Sequence, residues 1–308
     1  MLEEVLDALN INPDLLPEQR QAVSDPLGCN LPPVEIKLRD PTPHKEQRRP
    51  KSLASQKLID ECVQEMLKAG VIEETTTTEF VHETVLVKKK NTDKRRFCVD
   101  YRPMNEKLIY DFYPQADSEE NIRRFAGKKF YAHFDLKSGY WQLVLAVASR
   151  AYTAFYANGR IYNFTVVPFG IANAPSWFQK VMNDLLFDLD FAQAFQDDIS
   201  VGSDSFEDLM RDLDILFQRL EKYNFKLQAK KCSIGYEWME LPGHIVSGEG
   251  ICSDPGKVEA VLNAPPPTNK KELASFHGFV QWYQRYIPAY AIIAALLLKM
   301  LRKQASWV

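Results

Sequence analysis

The chain has 308 residues, room for more than one hydrophobic core. Hydrophobic residues make up 45%, charged residues 26%, and the net charge is −3, which excludes both a disordered chain and a uniformly basic nucleic-acid binder. The longest apolar run, Ala289 to Leu298, falls far short of the ~20 residues of a bilayer span, and "MLEEVLDALN" lacks a signal-peptide pattern. Residues 1–50 read as an arm with one short helix, because Pro13, Pro17, Pro26, Pro32, Pro33, Pro41, Pro43 and Pro50 interrupt anything longer. Leu58, Ile59, Cys62, Val63, Met66 and Leu67 then recur at helical spacing, with Gly70 as a stop. "VHETVLVKKKNTDKRRFCVDY" predicts two strands joined by a polar turn; "KKFYAHFDL", "YWQLVLAV" and "RIYNFTVVPFG" predict further strands. Pro175 opens a helix with Trp177, Phe178, Val181, Met182, Leu185 and Leu186 on one apolar face. Phe191 to Ser203 reads as strand–turn–strand, and Ser205 to Tyr223 as a second amphipathic helix. "APPP" at 264–267 is a stiff break, after which Asn269 and Glu272 have capping-box spacing. The order points to an α+β core with a helical C-terminal module.

Two constellations carry chemistry. Asp197 and Asp198 lie between the apolar flanks "FAQAF" and "ISVGS". They read as a polar hairpin turn, or as a divalent-metal site presented at the tip of one. Asp135, at the end of an apolar strand, would be a third carboxylate, and three can hold two cations ~3.5–4 Å apart for phosphoryl displacement. Lys88, Lys89, Lys90, Lys94, Arg95 and Arg96 form a basic turn, either a solvated face or a clamp on a triphosphate. Five cysteines without CxxC spacing form neither a zinc pattern nor a disulfide framework and read as reduced, intracellular thiols.

Together, "MLKAGVIEE", "TVLVKKK", "RRFCVDYRPMN", "FDLKSGYWQ", "VPFGIANAPSWFQ", "FQDDI", "FQRLEKYNFKLQAKKC", "GHIVSGEGI" and "SFHGFVQWYQRYIP" resemble, in order and spacing, the reverse transcriptases of gypsy-type LTR retrotransposons. The resemblance implies a right-hand polymerase: fingers, a palm with an antiparallel sheet and helices, and a helical thumb. Its expected bounds are an arm at 1–50, fingers at 51–130 interleaved with the palm, the palm with its catalytic hairpin at 131–228, and the primer-grip hairpin and thumb at 229–308. The resemblance assigns Asp135, Asp197 and Asp198 as catalytic metal ligands for two Mg²⁺ ions, with Mn²⁺ as substitute. It assigns Lys89, Arg96, Tyr140, Phe169 and Gly170 to the nucleotide, with Tyr140 crowding the sugar 2′ position. Lys230, Lys231, Gly243 and His244 fall to primer and template. The implied activity is RNA- and DNA-directed DNA synthesis, with dNTPs, primer and an RNA or DNA template as partners, at an intracellular site, cytoplasmic or nuclear, with no membrane.

Several positions depart from the family pattern. Phe195 replaces a tyrosine, His82-Glu83 a Ser-Pro, Pro242 a leucine in "FLGH", and His277 an apolar thumb residue. No protease, RNase H or integrase motif is visible, so the expectation is the polymerase region alone, processed or remnant. The alternative reading is a retroelement-derived domain with weak or no chemistry, kept as a binding or structural subunit with a protein partner.

Overall fold

A computed structural model of the chain describes residues 28–45, 50–76, 79–88, 95–114, 118–241, 244–253 and 255–302. The short helix expected near the N-terminus lies outside them. The chain divides into two compact units, Met1–Asp117 with Tyr131–Gly235, and Ser118–Phe130 with Tyr236–Val308.

The first unit is built on a four-stranded sheet in the order Ser233–Tyr236, Phe130–Asp135, Asp198–Ser203, Ala192–Phe195. Two helices cover its hairpin strands: Ala174–Leu186 packs on Ala192–Phe195, and Phe206–Lys222 on Asp198–Ser203. The second helix starts where the Ser205 hydroxyl accepts the Asp208 N–H at 3.1 Å. It buries Leu209, Leu213, Leu216 and Leu220, one stripe at helical spacing, each stabilising the fold by ~1.5–3 kcal/mol. In the first helix Pro175 sits in the first turn as expected, and the buried face is Phe178, Gln179, Met182, Leu185 and Leu186. Trp177 and Val181 are only half-buried.

A second sheet has the order Ile72–Glu74, Arg160–Phe164, Phe155–Ala157. The helix Leu53–Lys68 contacts it, buries Ile59, Val63 and Met66, and is followed by Gly70 at φ +68°. Thr84–Lys88 and Arg95–Val99 pair as an antiparallel hairpin, as read from the sequence. Residues 28–45 are knitted into this unit rather than standing off it. Val34 bridges Leu145, Leu38 bridges Leu108, and Cys29 and Ile36 are buried.

One expected strand is absent. "YWQLVLAV" begins as a 3-10 helix, Gly139–Gln142, because Ser138 (φ 60°) and Gly139 (φ 42°) turn the chain left-handed just after the Asp135 strand. Fully buried Gln142 then donates to the carbonyls of Lys137 and Lys226 and accepts the Lys226 N–H. Val144 is left with a single bridge to Val166, and the strand read through to Pro168 ends at Phe164.

The second unit contains a three-stranded antiparallel sheet, Trp238–Leu241, His244–Ser247 and Gly250–Ser253. The helix Ser118–Phe125 packs on its middle strand, with Ile122 and Phe125 buried. Helices Pro255–Leu262, Lys270–Gln281 and Tyr290–Met300 follow. The Asn269 side chain accepts the Glu272 N–H at 2.9 Å, the cap that the spacing predicted. All five cysteines are free. Among the described residues no helix is long and apolar enough to cross a membrane.

Candidate active site

The hairpin Ala192–Phe195 / Asp198–Ser203 pairs Phe195 with Asp198, leaving a two-residue tip of Gln196 and Asp197. Gln196 adopts φ +54°, the left-handed geometry that a tip of two residues demands. The neighbouring strand ends at Asp135, and the next amide, Leu136 N–H, donates to the Asp197 carbonyl at 2.8 Å. Strand pairing therefore brings Asp135 beside the tip, although Asp135 and Asp197 are 62 positions apart in sequence. A Cβ on Gly139 would stand 3.2 Å from Asp197 Oδ2, so glycine lets this turn close on the carboxylate.

Burial, reinforced by the charges of Asp198 and Asp135, pushes the Asp197 carboxyl above its ordinary value. Lys231 opposes that push. Its ammonium donates to Asp135 Oδ2 at 2.7 Å, and this hydrogen bond raises the lysine above its own ordinary value. His133 Nε2 stands 3.4 Å from Asp198 Oδ1. Among the described residues, no group of three or more His, Cys, Asp or Glu side chains is assembled closely enough to hold a metal ion. The donors are nonetheless all carboxylate oxygens, the chemistry that suits Mg²⁺ or Mn²⁺. The mutual repulsion registered at Asp197 is what a divalent cation would relieve.

Tyr140 lies beside this tip. Its ring is 5.5 Å from Phe169 and 5.7 Å from Phe178, and its hydroxyl donates to Gln196 Oε1 at 3.3 Å. Burial, then the Asp197 charge, raises its phenol above the ordinary value. Phe169 is half-exposed, and Gly170 (φ +100°) turns the chain back against Val99 and Tyr101. Asn105 pins that loop, donating to the Gly170 carbonyl and accepting the Ala172 N–H.

The remaining expected residues are less concentrated. Arg96 is exposed on the basic hairpin, opposite Val87. Lys230 is exposed beside Lys231 in the short turn Ala229–Lys231. His244, 2% exposed, faces inward in the second unit, 2.5 Å from the Tyr286 hydroxyl and stacked with Trp282. Lys89, Gly243 and Pro242 lie outside the described residues. Sequence reasoning passed over Asn105, Gln142 and Gln179. The last had a legible signal, a lone amide inside an apolar helix stripe.

A family profile described as reverse transcriptase (RNA-dependent DNA polymerase) matches residues 87–272. The retrovirus-related Pol polyprotein from transposon 297 of Drosophila melanogaster is 33% identical over 254 residues, 80% of this chain and 24% of that protein. The Pol polyprotein from transposon gypsy of the same organism is 31% identical over 87% of this chain and 26% of its own length. The chain thus spans about a quarter of the length of these relatives. Among solved structures, the foamy viral protease–reverse transcriptase in complex with double-stranded DNA aligns with a TM-score of 0.79 at 19% identity, over 100% of this chain and 68% of that one. The same viral protein in complex with an RNA/DNA hybrid gives 0.75, over 100% of this chain and 44% of that one.

Proposed function

This chain belongs to the reverse transcriptase family, and from that premise we propose that it is a polymerase domain transferring nucleotides from dNTPs to a primer 3′-hydroxyl on an RNA or DNA template. One observation carries the reading: strand pairing sets Asp135 beside Asp197 and Asp198 at one end of one sheet. In this reading the first unit supplies palm and fingers, and the second supplies primer grip and thumb. That the foamy viral relatives were captured with double-stranded DNA and an RNA/DNA hybrid supports a nucleic-acid duplex as partner here.

Asp135, Asp197 and Asp198 would hold two divalent cations, which lower the pKa of the attacking hydroxyl and stabilise the leaving pyrophosphate. Lys231 neutralises Asp135, the role that a cation held there would take over. Tyr140, walled by Phe169 and Phe178, closes the sugar side of the nucleotide pocket, so a ribose 2′-hydroxyl meets its ring. The Gly170 loop, pinned by Asn105, shapes the base side. Arg96, with Lys89, meets the triphosphate as a charge-assisted donor. Buried His244 serves the primer grip by fixing the strand that carries it, not by touching the primer.

The test is primer extension on poly(rA)/oligo(dT) with Mg²⁺ or Mn²⁺. Extension that disappears in the Asp197→Asn, Asp198→Asn double variant is expected, and extension no greater than that variant's would overturn the reading. The second reading, a binding subunit without chemistry, is favoured by the Lys231 ammonium already seated on Asp135. Under it, the protein shows duplex binding that falls steeply with salt, or a stable protein partner, but no extension.

A further inference from the structure

Gln196 is a glutamine at φ +54°, a conformation that costs an L-residue roughly 1 kcal/mol and persists only where neighbours enforce it. The two-residue turn imposes it, and the helix beneath reinforces it. Gln179, fully buried, accepts the Gln196 N–H at 2.9 Å and donates to the Ala194 carbonyl at 2.9 Å. A second donor contact, to Asn183 Oδ1 at 2.8 Å, fixes which way the Gln179 amide points. The hairpin tip is thereby fastened at two backbone atoms to one rigid side chain.

The Gln196 side chain leaves that fixed point toward Tyr140, whose hydroxyl it accepts at 3.3 Å. The two rings around Tyr140, Phe169 and Phe178, restrict its sideways motion and offer no polar atom to its hydroxyl. Phe178 also immediately precedes Gln179, so the apolar wall and the polar anchor leave the same helix turn. An aliphatic residue at position 196 would keep the turn and lose the acceptor.

We propose that Gln196, held by Gln179, is a positioning residue that orients the Tyr140 ring and so sets how strongly the site rejects a ribose 2′-hydroxyl. The inference rests on the reading of Tyr140 as the sugar-facing wall. A ring anchored at its hydroxyl holds its edge against the 2′ position, whereas one released can tilt and admit the extra oxygen.

The experiment compares dTTP with UTP by kcat/KM in wild type, Gln196→Met, Tyr140→Phe and the double variant. Each single change raises relative UTP use about 3- to 10-fold, the range of one net hydrogen bond, and the double variant goes no further than either single. Additive effects, or a wild-type ratio in Gln196→Met, overturn the proposal. A general loss of hairpin structure would lower the use of both nucleotides together and leave the ratio unmoved. Equilibrium binding of dTTP and UTP to the protein on a dideoxy-terminated template–primer reads the same preference without turnover. A wild type that extends no primer therefore sinks the polymerase reading alone, while equal binding preferences in wild type and both single variants sink this one.

Discussion

The carboxylate hairpin, Ala192–Phe195 with Asp198–Ser203, and the basic hairpin, Thr84–Lys88 with Arg95–Val99, are both two antiparallel strands carrying charge of one sign toward the tip. Their burial runs differently. In the first, Ile199 to Ser203 are all buried and Asp198, next to the turn, is half-buried. In the second, Thr84 and Val99 at the base are buried, while Val85, Val87, Arg95 and Arg96 are exposed. The first forms one side of a four-stranded sheet, with Asp198–Ser203 inside and Ala192–Phe195 at the edge, and has helices packed on it; the second is a two-stranded sheet of its own. The difference matches the proposed tasks. Carboxylates that share cations must be fixed within a fraction of an ångström, whereas cations that meet a triphosphate act at longer range and need reach.

The comparison breaks first at the carboxylates. Asp197→Asn should lower extension on the order of a thousandfold or more while the metal-free melting temperature holds or rises, since a half-buried, repelled charge is removed. A variant that melts well below wild type would show the charge to be a fold requirement instead. The base of the basic hairpin offers the next largest effect. His82 is 1% exposed and burial holds its imidazole down at about 4, against an ordinary 6.5. The folded state therefore prefers neutral His82; stability is intact above about pH 6.5 and declines by up to ~3 kcal/mol as pH falls toward 4. Urea melts at pH 7.5, 5.5 and 4.5 should show a shallower acid loss in His82→Gln, and parallel curves for the two proteins would rule this out.

Gln179→Leu sharpens the contrast from the rigid side. It strands the Gln196 N–H and the Ala194 carbonyl, costing about 1–3 kcal/mol. It should also lower kcat roughly tenfold, with a smaller change in KM for dNTP. A pure KM effect would mean that the tip is not positioned through this amide. The smallest change belongs to the exposed hairpin: Arg96→Ala should raise KM for dNTP about fivefold and leave melting within ~0.5 kcal/mol of wild type. A kcat loss as large as that of Gln179→Leu would erase the distinction between the two hairpins.

Much of this was legible along the chain. The 205–223 helix, the 191–203 hairpin, the Pro175 helix start and the Asn269 cap were all written in periodicity and end signals, because those are local physics. "YWQLVLAV" misled, since apolar spacing cannot register a left-handed turn at Ser138 and Gly139 or a buried glutamine that diverts the backbone. The departure His82-Glu83 is accommodated in three dimensions: the fold supplies Glu83 with an ion-pair partner in Lys51 and buries His82 against Tyr101.

By itself the sequence determined the principal helices and hairpins, most of their apolar faces, and which three carboxylates stand at strand ends and turns. Only the tertiary structure decided that Asp135 meets Asp197, that Lys231 occupies Asp135, and that Gln179 grips the tip. The first set depends on interactions within a few residues, which composition and spacing record. The second depends on strand order and on hydrogen bonds across 17 to 96 positions, which no local pattern encodes.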